Sequence, residues 1–152
     1  MEIRYQYFEE EKLLIQKFIG LFSLESYKNN SSRIHQNLKM KEIKKVLIDF
    51  RDLKINKNKD DFLDDFDDRI EEIVDYRKEI NKNELANKAI VLVMWVDKPF
   101  PTTIVHLFQE NFSKMKYNYC STEEKVIEIL NIKPNFNLSS KVNNLSNSAS
   151  DL

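Results

Sequence analysis

Charged side chains that could take part in chemistry follow an apolar run in VLIDFRDLKIN, residues 46–56. Residues 46–48 have the composition of a strand buried on both faces, and Asp49, Arg51 and Asp52 come where that strand is expected to end. In an open α/β sheet, ligands bind where the carboxyl ends of the strands meet helix N-termini. The stretch is therefore a candidate site, provided that the sheet brings other polar groups to the same end.

Two interpretations of this carboxyl end of the sheet are open. It could be a polar recognition site, or Arg51 could pair with Asp49 or Asp97 while the hydroxyls cap helices, which is the ordinary way to satisfy loop groups. The second is the more common arrangement, and the sequence favours it. The polar side chains expected at this end are Asp49, Arg51, Asp52, Asp97, Lys98, Thr102, Thr103, Ser121 and Thr122.

A run of acids marks the start of the helix predicted over residues 60–81. Carboxylates in the first turns complement the helix dipole, and side chains spread around a helix point apart rather than converging on a metal ion. The run therefore predicts a solvated face or an acidic docking surface for a basic partner, and no metal site. Its members are Asp60, Asp61, Asp64, Asp65, Asp67 and Asp68.

Several classes of catalytic site are excluded by composition. A P-loop, a dinucleotide fingerprint and a nucleophile elbow each need several glycines, and the chain has only Gly20. Cys120 with His35 and His106 cannot supply a structural zinc site. Cys120 is expected to be a buried, inert thiol, although its place before a helix could lower its pKa. The sequence therefore predicts neither an enzyme nor a cofactor.

Charge and length set the class of protein. The 152 residues suffice for one core, and the net charge of −1 gives nothing that would favour a nucleic acid or an anionic membrane. The N-terminus lacks an apolar signal segment, no apolar run is long enough to span a bilayer, and one cysteine suits a reducing compartment. We expect a cytoplasmic protein.

The hydropathy pattern alternates between strands and helices. Residues 3–8 and 13–19 predict a hairpin that ends at Gly20, and Ser23 is expected to cap a helix over 24–39. The remaining predicted elements are a strand over 46–50, a helix over 60–81, a strand over 89–96, a helix opening at Pro101, a strand over 117–120 and a helix capped by Ser121 with Glu124.

The fold predicted from this order is β-β-α-β-α-β-α-β-α. Strands that alternate with helices require a mostly parallel sheet, here of five strands starting with a hairpin. The polar sequence after Pro134 has too few apolar residues to offset the entropy of ordering it. We therefore predict one domain over residues 1–132 and a disordered tail over 133–152.

Three segments resemble the STAS family, the anti-sigma-factor antagonist (SpoIIAA-like) fold. They are KFIGLFSLESY at 17–27, VLIDFRDLKINKNKDDF at 46–62 and YCSTEEKVIEIL at 119–130. The resemblance spans residues 3–131. It is closer still to small, uncharacterised bacterial proteins of this fold that have a strand ending in Asp-Phe-Arg-Asp.

The resemblance implies a non-enzymatic regulatory module that acts by protein–protein contact, with a protein partner or as a homodimer. In signalling members a Ser or Thr at the start of the second helix is phosphorylated; the matching position here is Asn58, and no Ser or Thr lies between Ser32 and Thr102. That switch is therefore not expected. The alternative is a domain that binds a small molecule or lipid between helices and sheet. The implied contact surface adds Asn58, Asp60 and Asp61 to the strand-end charges.

Overall fold

The computed structural model describes residues 1–54, 71–79, 90–94, 100–112 and 115–147. The strands are β1 (Glu2–Phe8), β2 (Leu13–Leu21), β3 (Lys45–Lys54), β4 (Ile90–Met94) and β5 (Lys116–Cys120). The helices are α1 (Leu24–Leu38), α2 (residues 71–79), α3 (Phe100–Asn111), α4 (Glu123–Leu130) and α5 (Leu138–Asn147). A short 3₁₀ turn, Pro134–Phe136, precedes α5.

The five strands form one sheet in the order β1-β2-β3-β4-β5. β1 and β2 are antiparallel, and every later neighbour is parallel. The hairpin turns at residues 9–12, where Lys12 takes a positive φ of 49° and its N–H donates to the Glu9 carbonyl at 3.2 Å. This order confirms the predicted α/β class and the mostly parallel sheet that starts with a hairpin.

Apolar side chains on the two faces of the sheet form two cores. On one face, Leu13 and Leu47 pack with residues of α4 and α5. On the other face, Phe18 and Phe50 pack with residues of α1, α2 and α3. Both faces of the inner strands are buried, which explains why their sequences are continuous apolar runs rather than alternating ones.

Helix α1 begins as predicted. The Ser23 side chain accepts a hydrogen bond from the Ser26 N–H at 3.3 Å, and Ser31 and Ile34 are buried on the inner face. The helix predicted over residues 60–81 is described only over 71–79, where Ile73 and Val74 are buried. Residues 55–70, 80–89 and 95–99 lie outside the described residues, so the strand predicted over 89–96 is described only over residues 90–94.

Two strands are longer than predicted. Gly20 does not end β2 but lies inside it with a φ of +91°, opposite Leu53 of β3. Pairing with this longer β2 keeps β3 extended to Lys54, so Asp49 to Asp52 lie within the strand and not at its end. The error followed from equating the end of the apolar run with the end of the strand.

The helix cap predicted at Ser121 is one residue too early. Thr122 is the N-cap of α4, and its hydroxyl accepts a hydrogen bond from the Lys125 N–H at 3.3 Å. Ser121 and Thr122 both have a hydroxyl that could cap the helix. Because β5 ends at Cys120 and a bend of two residues follows, Thr122 is the residue directly before the helix.

The prediction of a disordered tail is wrong for residues 134–147. Four apolar side chains of this segment are buried in the α4–α5 core, and the Arg4 guanidinium donates to the Leu145 and Ser146 carbonyls at 2.9 and 2.7 Å. Three of them are spaced 4 and 3 residues apart, which is one stripe of a helix. The domain therefore extends to Asn147 rather than to residue 132. The buried side chains are Phe136, Leu138, Val142 and Leu145.

Candidate functional site at the ends of β2 and β3

The Asp-Phe-Arg-Asp stretch forms an irregularity in the pairing of β2 with β3. From Lys17 to Ile19, β2 advances by two residues, whereas the partners on β3 advance by three, from Asp49 to Asp52. The extra residue is a β-bulge, and it leaves one backbone amide without a ladder partner. The Asp49 carboxylate supplies the missing acceptor, because its Oδ1 accepts the Arg51 backbone N–H at 3.0 Å.

The bulge also decides which side chains share a face of the sheet. Phe50 and Leu53 both lie in the core beneath α1, α2 and α3, although an uninterrupted strand would place residues three apart on opposite faces. Asp49 and Asp52 accordingly both reach Lys17 on the other face. The stretch therefore shifts the strand by one residue while keeping its apolar groups inside.

Asp49 is fully buried and its two oxygens are fully used. The Lys17 ammonium lies 3.0 Å from Oδ2, and the Arg51 guanidinium donates from Nε to Oδ1 at 3.0 Å and from Nη2 to Oδ2 at 2.9 Å. Lys17, itself buried, also contacts Oδ2 of Asp52 at 3.1 Å. We call Lys17, Asp49, Arg51 and Asp52 the β3 charge cluster. Its two cations and two anions balance.

The β3 charge cluster is connected to the C-terminal helices. Arg51 Nη2 lies 3.6 Å from Oε1 of Glu123, the first residue of α4. Oε2 of Glu123 accepts a hydrogen bond from the hydroxyl of Ser139 in α5. The cluster therefore joins two strands to both helices of that face.

Burial and ion pairing shift the pKa of Asp49 in opposite directions. Burial raises the pKa of its carboxyl, but the hydrogen bonds from the Arg51 side chain and backbone and the charges of Arg51 and Lys17 outweigh burial and lower that pKa overall. The partner responds in the opposite sense, because the Asp49 carboxylate raises the pKa of Arg51. Asp49 is therefore held ionised and is unsuited to exchanging protons near neutral pH.

This shift predicts a specific dependence of stability on pH. A lowered folded-state pKa stabilises the protein above the unfolded value of about 3.9, and the gain is lost as pH falls through the folded value. We expect the urea midpoint of the wild type to drop more steeply below about pH 4 than that of Asp49→Asn. Glu11, whose pKa is also lowered by Lys45 and Lys133 against the effect of burial, contributes equally to both proteins. Equal slopes would contradict the assignment.

A cavity of about 400 Å³ opens beside the cluster. Leu21, the last residue of β2, is 53% exposed, and Lys54, the last residue of β3, is also exposed. The Asp52 side chain is 52% exposed. The cavity is lined by Ile19, Gly20, Arg51, Asp52, Leu53 and Lys54.

The structure brings together three of the eight residues proposed for this surface. Asp49, Arg51 and Asp52 lie in one cluster, and Arg51 pairs with Asp49, one of the two partners considered. Asn58, Asp60, Asp61, Asp97 and Lys98 lie outside the described residues.

Sequence reasoning missed Lys17 and Glu123. Lys17 follows Leu13 and Ile15 at alternate positions of β2, so its place on an apolar face was a readable signal of a buried charge needing a partner. Glu123 is an ordinary first-turn acid of a helix, and only the fold brings it to Arg51.

Cys120 is buried, as the sequence predicted. It lies at the end of β5, and burial raises the pKa of its thiol to about 11 despite a backbone hydrogen bond from Thr122. His106 is exposed on α3. Within the described ranges, no group of three His, Cys, Asp or Glu side chains could hold a metal ion.

Alkylation of Cys120 tests this assignment. A rise of the pKa from the ordinary 9.0 to about 11 leaves roughly a hundredfold less thiolate at pH 8, and burial limits access further. We expect iodoacetamide to react with the folded protein at least about a hundredfold more slowly than with the protein in urea. Comparable rates would show that Cys120 is a reactive site.

Comparison with known proteins adds a likeness of fold. No family model matches the chain, and no curated protein matches it. The chain is similar to the solved structure of the anti-sigma factor antagonist SpoIIAA in its unphosphorylated form, at 8% identity over 87% of this chain and 99% of that chain, with a TM-score of 0.48. Function does not transfer at such identity. Among the described helices, none has the length and apolar character needed to cross a bilayer.

Proposed function

We propose that the protein is a non-enzymatic regulatory module that binds another protein through the ends of β2 and β3. The observation that supports this most is the saturation of Asp49, whose oxygens are all taken up by Lys17 and Arg51. A carboxylate that served as an acid, a base or a ligand group would need an oxygen free for the substrate. We therefore assign the buried part of the cluster a structural role and place partner recognition on the groups around it.

The groups around the cluster combine apolar and charged character. Leu21 projects an exposed apolar side chain, and Asp52 and Lys54 border the neighbouring cavity. Protein interfaces commonly place apolar anchors within a polar rim, on a scaffold that is already ordered. The proposed surface extends to Asn58, Asp60 and Asp61, which follow β3 in the sequence, and to Asp97 and Lys98, which follow β4.

The proposed module binds its partner without a phosphorylation switch at the second helix. Residues 41–101 contain a single hydroxyl-bearing side chain, that of Tyr76. Tyr76 donates to the Lys28 carbonyl at 2.8 Å and contacts the Ser32 hydroxyl, so it belongs to the packing of α1 against α2. The acids at 60–68 supply negative charge permanently, which favours a partner with a basic contact region.

The alternative of a small-molecule or lipid ligand is less well supported. An apolar ligand would need an apolar cavity between helices and sheet. The cavity beside the β3 charge cluster is lined by Arg51, Asp52 and Lys54 as well as by Ile19 and Leu53, and it lies at the strand ends. The charged residues in this lining favour a polar contact with a protein over binding of an apolar ligand.

Native mass spectrometry of the tagged full-length chain, isolated from cells of its own organism, tests the proposal. We expect the wild type to retain a protein partner that Leu21→Asp loses. Ile127→Asp is the matched control, since Ile127 is an exposed apolar side chain on α4, and it should retain the partner. A bound lipid or small molecule with no protein partner would overturn the proposal, and so would equal retention by both variants.

A further inference from the structure

The β5 edge of the sheet is closed by side chains. The outward-facing Tyr117 N–H donates to Oε1 of Gln109 at 2.8 Å, and Nε2 of the same Gln109 donates to the Met115 carbonyl at 3.0 Å. The Tyr119 N–H donates to Oδ1 of Asn118 at 2.8 Å. Side chains here occupy two of the amides with which an added strand would pair.

At the β1 edge, side chains of α1 meet the outward backbone groups of one residue, Ile3. The Ile3 N–H and carbonyl face outward and are met by α1, through Oδ1 of Asn30 and Nη2 of Arg33, each at 3.4 Å. The register of β1 with β2 is unbroken, so the backbone groups of Tyr5 and Tyr7 also face outward by the alternation of an antiparallel ladder. Within the ranges that the structure describes, these four groups have no hydrogen-bond partner.

The tyrosine side chains are held away from this edge. The Tyr7 hydroxyl donates to the Glu42 carbonyl at 2.6 Å, and Nδ2 of Asn37 donates to the Tyr5 hydroxyl at 2.6 Å, so both side chains are tied to α1 and the segment that follows it. The tyrosine hydroxyls therefore already have partners within the same copy.

We propose that β1 pairs antiparallel with β1 of a second copy of this chain, about a two-fold axis at Gln6. Tyr5 of each copy then lies opposite Tyr7 of the other, and all four outward groups on each strand are satisfied. Centring the pair on Tyr5 would place Tyr7 opposite Ile3, whose groups α1 already uses. Centring it on Tyr7 would place Tyr5 opposite Glu9, outside the strand.

A second copy fits this edge because the open segment complements itself. Its two outward residues, Tyr5 and Tyr7, offer one backbone donor and one backbone acceptor each and lie symmetrically about Gln6. The dimer would form one continuous sheet of two copies, closed by symmetry. This interface is separate from the surface proposed at the ends of β2 and β3, so either could fail without the other.

Disulfide trapping tests the register directly. Gln6 would face Gln6 of the other copy in a non-hydrogen-bonded pair, where Cα atoms lie about 4.5 Å apart, within the range of a disulfide. We expect Gln6→Cys to form a covalent dimer on mild oxidation, about tenfold or more above the level of Gln36→Cys, an exposed position on α1. The native Cys120 is buried. Equal trapping at the two positions would overturn the proposal.

Sedimentation of the unmodified chain gives an independent readout. We expect the 18.2 kDa chain to associate reversibly to twice its mass. Gln6→Lys would set two like charges opposite each other and should weaken association about tenfold or more, whereas Gln36→Lys should leave it unchanged. A wild type that stays monomeric at its solubility limit would overturn the proposal, as would a dimer that Gln6→Lys leaves intact.

Discussion

Replacing Asp49 with alanine is expected to lower the free energy of unfolding by about 3–5 kcal/mol, because removing one member of a buried ion pair leaves the other charge uncompensated. Lys17 would keep only the contact to the half-exposed Asp52, and the Arg51 backbone amide in the bulge would lose its acceptor. Urea unfolding monitored by circular dichroism measures the loss.

Asp52→Ala is the matched control for that experiment. It removes a carboxylate 3.1 Å from the same Lys17 ammonium, but one whose side chain is 52% exposed. We expect a loss below about 1 kcal/mol, the usual value for an exposed ion pair. A loss as large as that of Asp49→Ala would mean that total charge matters here and the buried geometry does not.

Truncation after Lys133 is expected to abolish the folded state or leave a loosely packed one. It removes four buried apolar side chains, Phe136, Leu138, Val142 and Leu145, each contributing about 1.5–3 kcal/mol. Their sum is comparable to the whole stability of a typical domain, about 5–15 kcal/mol. It also uncovers Phe8 and Leu13 on the sheet. Circular dichroism and dye binding to exposed apolar surface would detect the change.

A pair of point variants tests whether α5 packs on the sheet through its buried face. Val142→Asp buries a carboxylate at a fully buried position of α5, whereas Asn144→Asp adds the same charge to an exposed position of that helix. The first should lower the melting midpoint sharply and the second only slightly. Equal midpoints would mean that α5 does not dock on the sheet in solution.

Much of the fold could be predicted because period and length separate the elements. The Ser23 cap, the hairpin turn at residues 9–12 and the apolar run of β4 are local signals, and the structure has each where the sequence placed it. Parallel pairing then follows from the alternation of strands and helices.

The C-terminal helix could not be predicted from composition. Its ten residues LSSKVNNLSN contain three Ser and three Asn, which are poor helix formers. Its three apolar side chains are enough only because the sheet offers an uncovered apolar face, and Arg4 on β1 accommodates its last carbonyls. Tertiary packing here overrides local propensity.

The charge cluster was predicted only in part for a similar reason. Asp49 and Arg51 are close in sequence, so their pairing could be considered in advance. The burial of Lys17 depends on the register of β2 with β3. The bulge, which leaves the Arg51 amide to hydrogen-bond with Asp49, arises from the pairing of the two strands and cannot be predicted from the sequence of either one.

A double-mutant cycle between Lys17 and Asp49 tests most directly whether residues 49–52 are structural or functional. We expect Lys17→Met and Asp49→Leu each to lower the free energy of unfolding in urea by about 3 kcal/mol or more, because each leaves a buried charge without its partner. The double variant, which removes both charges, should recover at least half of the summed loss. An Asp49→Leu protein as stable as the wild type, or more stable, would contradict this and mark Asp49 as a charge retained for function at the expense of stability.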